Sequence, residues 1–126
     1  MGTKYKIAAA HAAPVYMDEE ATTNKVVRLI EEAAQESIDL LAFLEAYLPG
    51  YPYFVQLFAP VQLFGAIVAY GQERVTADGP EIDPIRAACG NNRVAINLGF
   101  SEVRNASRAA LHFSILRSSS TAKGPF

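Results

Sequence analysis

Among the ionisable residues of this chain, Glu45 has the surroundings most suited to chemistry. It follows a short apolar run, Leu40-Leu41-Ala42-Phe43-Leu44, and opens a segment rich in Pro, Gly and Tyr over residues 47–54. A continuous apolar run of that length reads as a strand buried on both faces. In α/β sheets the carboxyl ends of strands are where sites form. A carboxylate held there by Phe43, Leu44 and Tyr47 is expected to be partly desolvated and its pKa raised, which suits general-base work. Position alone favours the plainer alternative, a surface glutamate at a strand end hydrogen-bonded to nearby backbone.

A nucleophile is harder to find. The single cysteine, Cys89, stands four residues after Ile85 on a helical pattern, with no base at a nearby helical position to activate it. It reads as a small thiol packed in a core. His11 and His112 lie in apolar segments and no spacing links them to Cys89, so they read as hydrogen-bonded core residues. One cysteine supports neither an internal disulfide nor a two-cysteine zinc pair. No metal and no cofactor are expected.

These residues must be positioned by the elements around them. Residues 4–10 read as a first strand, ending before Pro14. Asp18 is a helix N-cap with Glu19 and Glu20 in the first turn, where acids complement the helix dipole. Val26, Leu29, Ile30, Ala33 and Ala34 follow at three- and four-residue spacing, one apolar stripe on a helix of about four to five turns. Residues 40–44 form the second strand, 61–70 a helix weakened by Gly65, and 81–91 a further helix after the turn at Ala77-Asp78-Gly79-Pro80. Residues 94–100 form a third strand and 111–116 a fourth. Strands alternating with helices predict an α/β layered fold. Residues 117–126 are small, polar and rich in breakers, and read as a frayed tail after one domain over residues 1–116.

Composition narrows the function classes. The chain has 126 residues with 11 basic and 13 acidic side chains, a net charge of −2, and so no basic surplus to neutralise phosphates. Hydrophobic residues make up 51%, which excludes a disordered chain. Residues 46–72 carry no charge at all. Pro49, Gly50, Pro52 and Pro60 interrupt that stretch, so burial against another protein surface is expected rather than a membrane helix. The balance describes a soluble chain, expected in the cytoplasm, with no nucleic acid or membrane partner.

The segment over residues 37–52 resembles the first signature of the nitrilase superfamily, the carbon–nitrogen hydrolases. In that family an aliphatic strand ends in Phe-Pro-Glu and continues into a Leu/Ile-Pro-Gly-Tyr-Pro loop, and Phe43, Glu45, Leu48, Pro49, Gly50, Tyr51 and Pro52 match it. Residues 8–15 are similar to the family's first strand and 24–34 to its first helix. Residues 76–82 and 94–102 resemble segments around its later strands. The Gly-Tyr-Pro ending looks most like nitrilases proper.

The resemblance implies the N-terminal part of a four-layer α-β-β-α sandwich and a Glu-Lys-Cys thiol mechanism that converts a nitrile, or an amide, to a carboxylic acid and ammonia. Glu45 aligns with the general base. The family's Lys-x-x-Pro-Thr-like and Cys-Trp-Glu-like motifs do not occur in these 126 residues, which contain no tryptophan. Lys123 is followed by Gly-Pro-Phe instead. The isolated chain is therefore expected to be inactive. It reads alternatively as a non-catalytic interaction chain, or a truncated relic, that associates with an intact homologous subunit. Homo-oligomers are expected by the same resemblance. Leu44 stands where the family has proline before the glutamate, which keeps apolar packing but loosens the backbone constraint.

Overall fold

The computed structural model describes residues 2–104 and 108–116. Its order is β1 (Ile7–Ala9), α1 (Glu19–Gln35), β2 (Leu40–Ala42), α2 (Phe54–Leu57), α3 (Pro60–Gln72), α4 (Asp83–Asn92), β3 (Ala95–Arg104) and β4 (Arg108–Leu116). The strands form one sheet in the order β1-β2-β3-β4, parallel between the first three and antiparallel between β3 and β4. The expected α/β class is thus observed. The expected tail over residues 117–126 lies outside the described residues.

Helix α1 starts where its signals put it. The Asp18 side chain accepts the Ala21 N–H at 2.9 Å, and the helix runs for 17 residues. Val26, Ile30 and Ala33 on its apolar stripe are buried and meet α4 through Ile85, Ala88 and Cys89. The helices close one face of the sheet. Ile96, Leu98 and Phe100 of β3 alternate toward that core, and Leu41 pairs with Ile96 in register and shares their face.

The opposite face is left half-covered. Ile7, Leu40 and Ala95 occupy aligned positions across it. Leu40 and Ala95 are partly exposed, and Ile7 is 66% exposed. The expectation of a second strand buried on both faces is therefore corrected: β2 is fully buried on the Leu41 side and only partly covered on the other.

Two strands are also shorter than their apolar runs suggest. β1 has three residues rather than seven, and β2 stops at Ala42 because the chain turns away after Phe43. Helix α2 starts at Phe54, the last residue of the segment rich in Pro, Gly and Tyr, and His11, expected in a core, is exposed.

The segment between β1 and α1 is held by Thr22, which is fully buried. Its hydroxyl donates to the Val15 carbonyl at 2.8 Å and accepts the Val15 N–H at 3.1 Å. Glu73, just after α3, accepts the Glu19 N–H at 3.0 Å and joins that helix end to the start of α1. Thr22→Val keeps the volume but removes both partners of Val15. It is expected to cost about 1–3 kcal/mol, measured as a lower midpoint in urea unfolding with an unchanged slope.

Candidate active site

The residues from Phe43 to Leu48 form an arch with both feet on β3. At one foot the Phe43 N–H donates to the Asn97 carbonyl at 2.8 Å. At the other, the Leu48 N–H reaches the Gly99 carbonyl at 3.3 Å, and the Ser101 N–H returns to the Leu48 carbonyl at 2.9 Å. Leu48 and Phe100 thus make a parallel bridge beyond the end of β2. Glu45 sits on top of the arch.

The arch passes directly over Gly99. A Cβ there would stand 2.8 Å from the Ala46 nitrogen, 2.8 Å from the Leu44 carbonyl oxygen and 3.0 Å from the Glu45 Cα. All three are backbone atoms and none can swing aside. Glycine within a strand commonly marks such an approach. Ala46 lies in the left-handed region, at φ 46°, which is costly for a residue with a Cβ. Ala46 is buried and its carbonyl accepts the Gly50 N–H at 3.0 Å.

The Pro-Gly-Tyr-Pro loop is pinned from three sides. The Met17 N–H donates to the Pro49 carbonyl at 2.9 Å. The Tyr70 hydroxyl, from α3, donates to the Gly50 carbonyl at 2.9 Å and lies 2.6 Å from the Ser101 hydroxyl. Burial pushes the Tyr70 pKa up, which keeps the hydroxyl protonated and able to donate. Gly50 has φ 121°, and a Cβ on it would stand 2.6 Å from the Tyr16 ring. Only glycine satisfies both conditions.

Phe43 and Tyr47 face inward, with ring centroids 5.0 Å apart. Leu44 is 61% exposed and Glu45 is exposed. The expected desolvation of Glu45 is therefore corrected, because two of its three apolar neighbours turn into the core and the third turns out to solvent. The packing expected of Leu44 is corrected likewise. Beside Glu45 opens a cavity of about 660 Å³ whose wall includes Tyr16, Tyr47, Tyr51 and Tyr53. Tyr51 and Tyr53 hold their rings 4.9 Å apart. The Tyr47 hydroxyl is buried with no hydrogen-bond partner among the described residues.

Glu45 and Tyr51 of the signature thus share one cavity, while Phe43, Pro49, Gly50 and Pro52 shape the chain beneath and beside it. Among the described residues no lysine or cysteine lines that cavity. Cys89 lies elsewhere, fully buried on α4, where burial raises its thiol pKa from 9.0 to about 11. It is a packing residue. Among the described residues no group of three or more His, Cys, Asp or Glu side chains is placed to hold a metal ion. Gly99 is the site residue that strand reading passes over, and an isolated glycine inside an apolar strand was its available signal.

Residues 6–118 match the family model described as carbon-nitrogen hydrolase. The bromoxynil-specific nitrilase of Klebsiella pneumoniae subsp. ozaenae is 40% identical over 102 residues, covering 81% of this chain and 29% of that protein. A cyanide hydratase of Leptosphaeria maculans is 36% identical over 104 residues, covering 82% and 29% respectively. The aliphatic nitrilase of Rhodococcus rhodochrous is 34% identical over 99 residues, covering 78% and 27%. The chain therefore spans under a third of the length of these relatives.

Gly99→Ala is expected to displace the arch, because every atom the new methyl would meet is main chain of the arch itself. The loss should be about 1–3 kcal/mol in stability, with amide shifts in an NMR spectrum concentrated at residues 44–48. Gly65→Ala is the control, since nothing lies within 4 Å of a Cβ at that position.

Proposed function

The chain belongs to the carbon–nitrogen hydrolase family, and from that premise we propose that it is the N-terminal portion of a nitrilase-type hydrolase with Glu45 as its general base. The observation that carries this reading is Glu45 raised on the arch over Gly99, within a signature matching at Phe43, Pro49, Gly50, Tyr51 and Pro52, and opening on a cavity. Residues 1–116 then form a partial domain. The half-exposed sheet face at Ile7, Leu40 and Ala95 is the surface a second sheet would cover in a four-layer sandwich. A cytoplasmic setting belongs to the same reading.

In the reaction proposed, the carboxylate takes the proton of a thiol and the thiolate attacks the nitrile carbon, giving a covalent thioimidate. A lysine stabilises the charge developing on the nitrogen. Water then releases ammonia and a carboxylic acid, and the thiol is restored. Of the three groups this chain contributes the carboxylate. Exposure of Glu45 suits a group that must meet a thiol brought by another segment.

A carboxylate alone does not run this chemistry, because members of such a triad act as a unit. The isolated chain is expected to release no ammonia from nitriles above background. A longer protein carrying the lysine and cysteine motifs should be active, and Glu45→Gln there should lower kcat by about 10²–10⁴-fold. Ammonia release by the isolated chain that vanishes in Glu45→Gln would contradict the assignment.

One observation favours a second role, association with another subunit, either a copy of itself or an intact homologue. Leu57, Val61, Phe64 and Val68 are 72%, 88%, 76% and 46% exposed. Val61, Phe64 and Val68 follow one another at three- and four-residue spacing along α3 in a region with no charge, the pattern of a helix–helix seam, while Leu57 ends α2 just before it. Among the described residues no helix is long and apolar enough to cross a membrane, so a protein partner is the fitting cover. Val61→Asp with Phe64→Asp is expected to shift the chain from assemblies to monomer in sedimentation velocity. An unchanged distribution would count against this surface.

A further inference from the structure

We infer that Tyr70 and Ser101 are positioning residues for Glu45, acting through Gly50 to hold the arch in the shape that presents the carboxylate. The inference rests on the reading of Glu45 as general base and names what aims it. Three observations carry it.

The first is a continuous line of hydrogen bonds. The Tyr70 hydroxyl donates to the Gly50 carbonyl at 2.9 Å, and the Gly50 N–H donates to the Ala46 carbonyl at 3.0 Å. Ala46 follows Glu45 directly. Gly50 is thus gripped by both its polar groups, one on α3 and the other on the arch.

The second is the direction of the protons. A carbonyl only accepts, so the bond to Gly50 takes the single proton of the Tyr70 hydroxyl. The Ser101 hydroxyl, 2.6 Å away, is therefore the donor to Tyr70. Ser101 is buried, and its main chain is engaged as well. Its N–H donates to the Leu48 carbonyl at the foot of the arch, and its carbonyl accepts the Val75 N–H at 3.2 Å just beyond α3. One residue of β3 thus fixes both the arch and the helix that carries Tyr70. The Tyr70 ring is steadied in turn by Phe54 of α2, edge-on with centroids 5.9 Å apart.

The third is that the arch has a shape to which it must be held. Ala46 is left-handed at φ 46°, and such a conformation persists only where its surroundings over-determine it. Gly50, at φ 121°, has the backbone freedom to reorient once its carbonyl is released. Without the Tyr70 hydroxyl, the Gly50 grip on Ala46 loosens. Relaxation at Ala46 then turns the peptide that joins it to Glu45.

The test is NMR of the 126-residue chain, read at the Glu45 amide and carboxyl and at the Gly50 carbonyl. Tyr70→Phe keeps the ring against Phe54 and removes only the hydroxyl. It is expected to shift the Gly50 carbonyl, which loses its donor, and the Glu45 resonances with it. Ser101→Ala keeps the main-chain bonds to Leu48 and Val75 and should shift both in the same direction by less. Tyr5→Phe, at an exposed tyrosine, should move neither. Should Tyr70→Phe lose its folded spectrum, Ser101→Ala decides. Shifts confined to Gly50 with Glu45 unmoved, or a lower urea midpoint as the only change, would overturn the inference. In a longer protein carrying the lysine and cysteine motifs, Tyr70→Phe is expected to lower kcat about tenfold with KM unchanged. An unchanged kcat there, where Glu45→Gln lowers it, would overturn the inference too. A harmless Glu45→Gln would instead overturn the base assignment, and the NMR result on the arch is read without turnover.

Discussion

The missing side chain of Gly99 is the constraint on which the site depends. The backbone from Leu44 to Ala46 lies where a Cβ of residue 99 would be, at 2.8–3.0 Å from three main-chain atoms. That closeness lets the chain leave β2 after Phe43, arch over Gly99 and rejoin the same edge of β3 at Leu48. The consequences run outward from there. Ala46 takes a left-handed conformation, Phe43 and Tyr47 turn inward to the core, and Glu45 is left at the crest. The loop beyond is then tied down by Met17 and Tyr70, from two different parts of the chain.

The same arrangement divides the sheet into two unlike faces. On one, α1 and α4 bury Leu41, Ile96, Leu98 and Phe100, and the hydrophobic gain of that burial holds the fold together. On the other, Ile7, Leu40 and Ala95 stay partly open, and the arch with its cavity stands at one end of the strands. A stripe on α3 adds further apolar surface. The role proposed for Glu45, serving a thiol from another segment, would call for such surroundings: fixed backbone beneath it and uncovered surface beside it.

Much of this was legible in the residues. The Asp18 cap, the spacing of Val26, Ile30 and Ala33, and the apolar run at 94–100 each follow from a local rule, and the structure agrees with them. Cys89 was legible as packing from its distance to Ile85. The position of Glu45 after a strand was legible too, but its exposure was not. Whether Phe43 and Tyr47 pack around a carboxylate or away from it depends on the turn at Ala46, and nothing in the types Leu-Glu-Ala signals a left-handed residue. The ends of β1 and β2 were illegible for a related reason. Strand length there is set by where the neighbouring strand offers partners, β2 for β1 and β3 for β2, a matter of tertiary register rather than of local propensity. Gly99 carried a signal, yet its partner lies more than fifty residues earlier in the chain.

The central claim is that Glu45 is one of three groups of a thiol hydrolase, the lysine and cysteine being contributed by residues outside this sequence. The most direct measurement is to read the transcript and genomic DNA past the codon for Phe126 in all frames. The expected result is downstream coding for Lys-x-x-Pro-Thr-like and Cys-Trp-Glu-like motifs, which would complete the site around the arch. A stop followed by neither motif in any frame would contradict it.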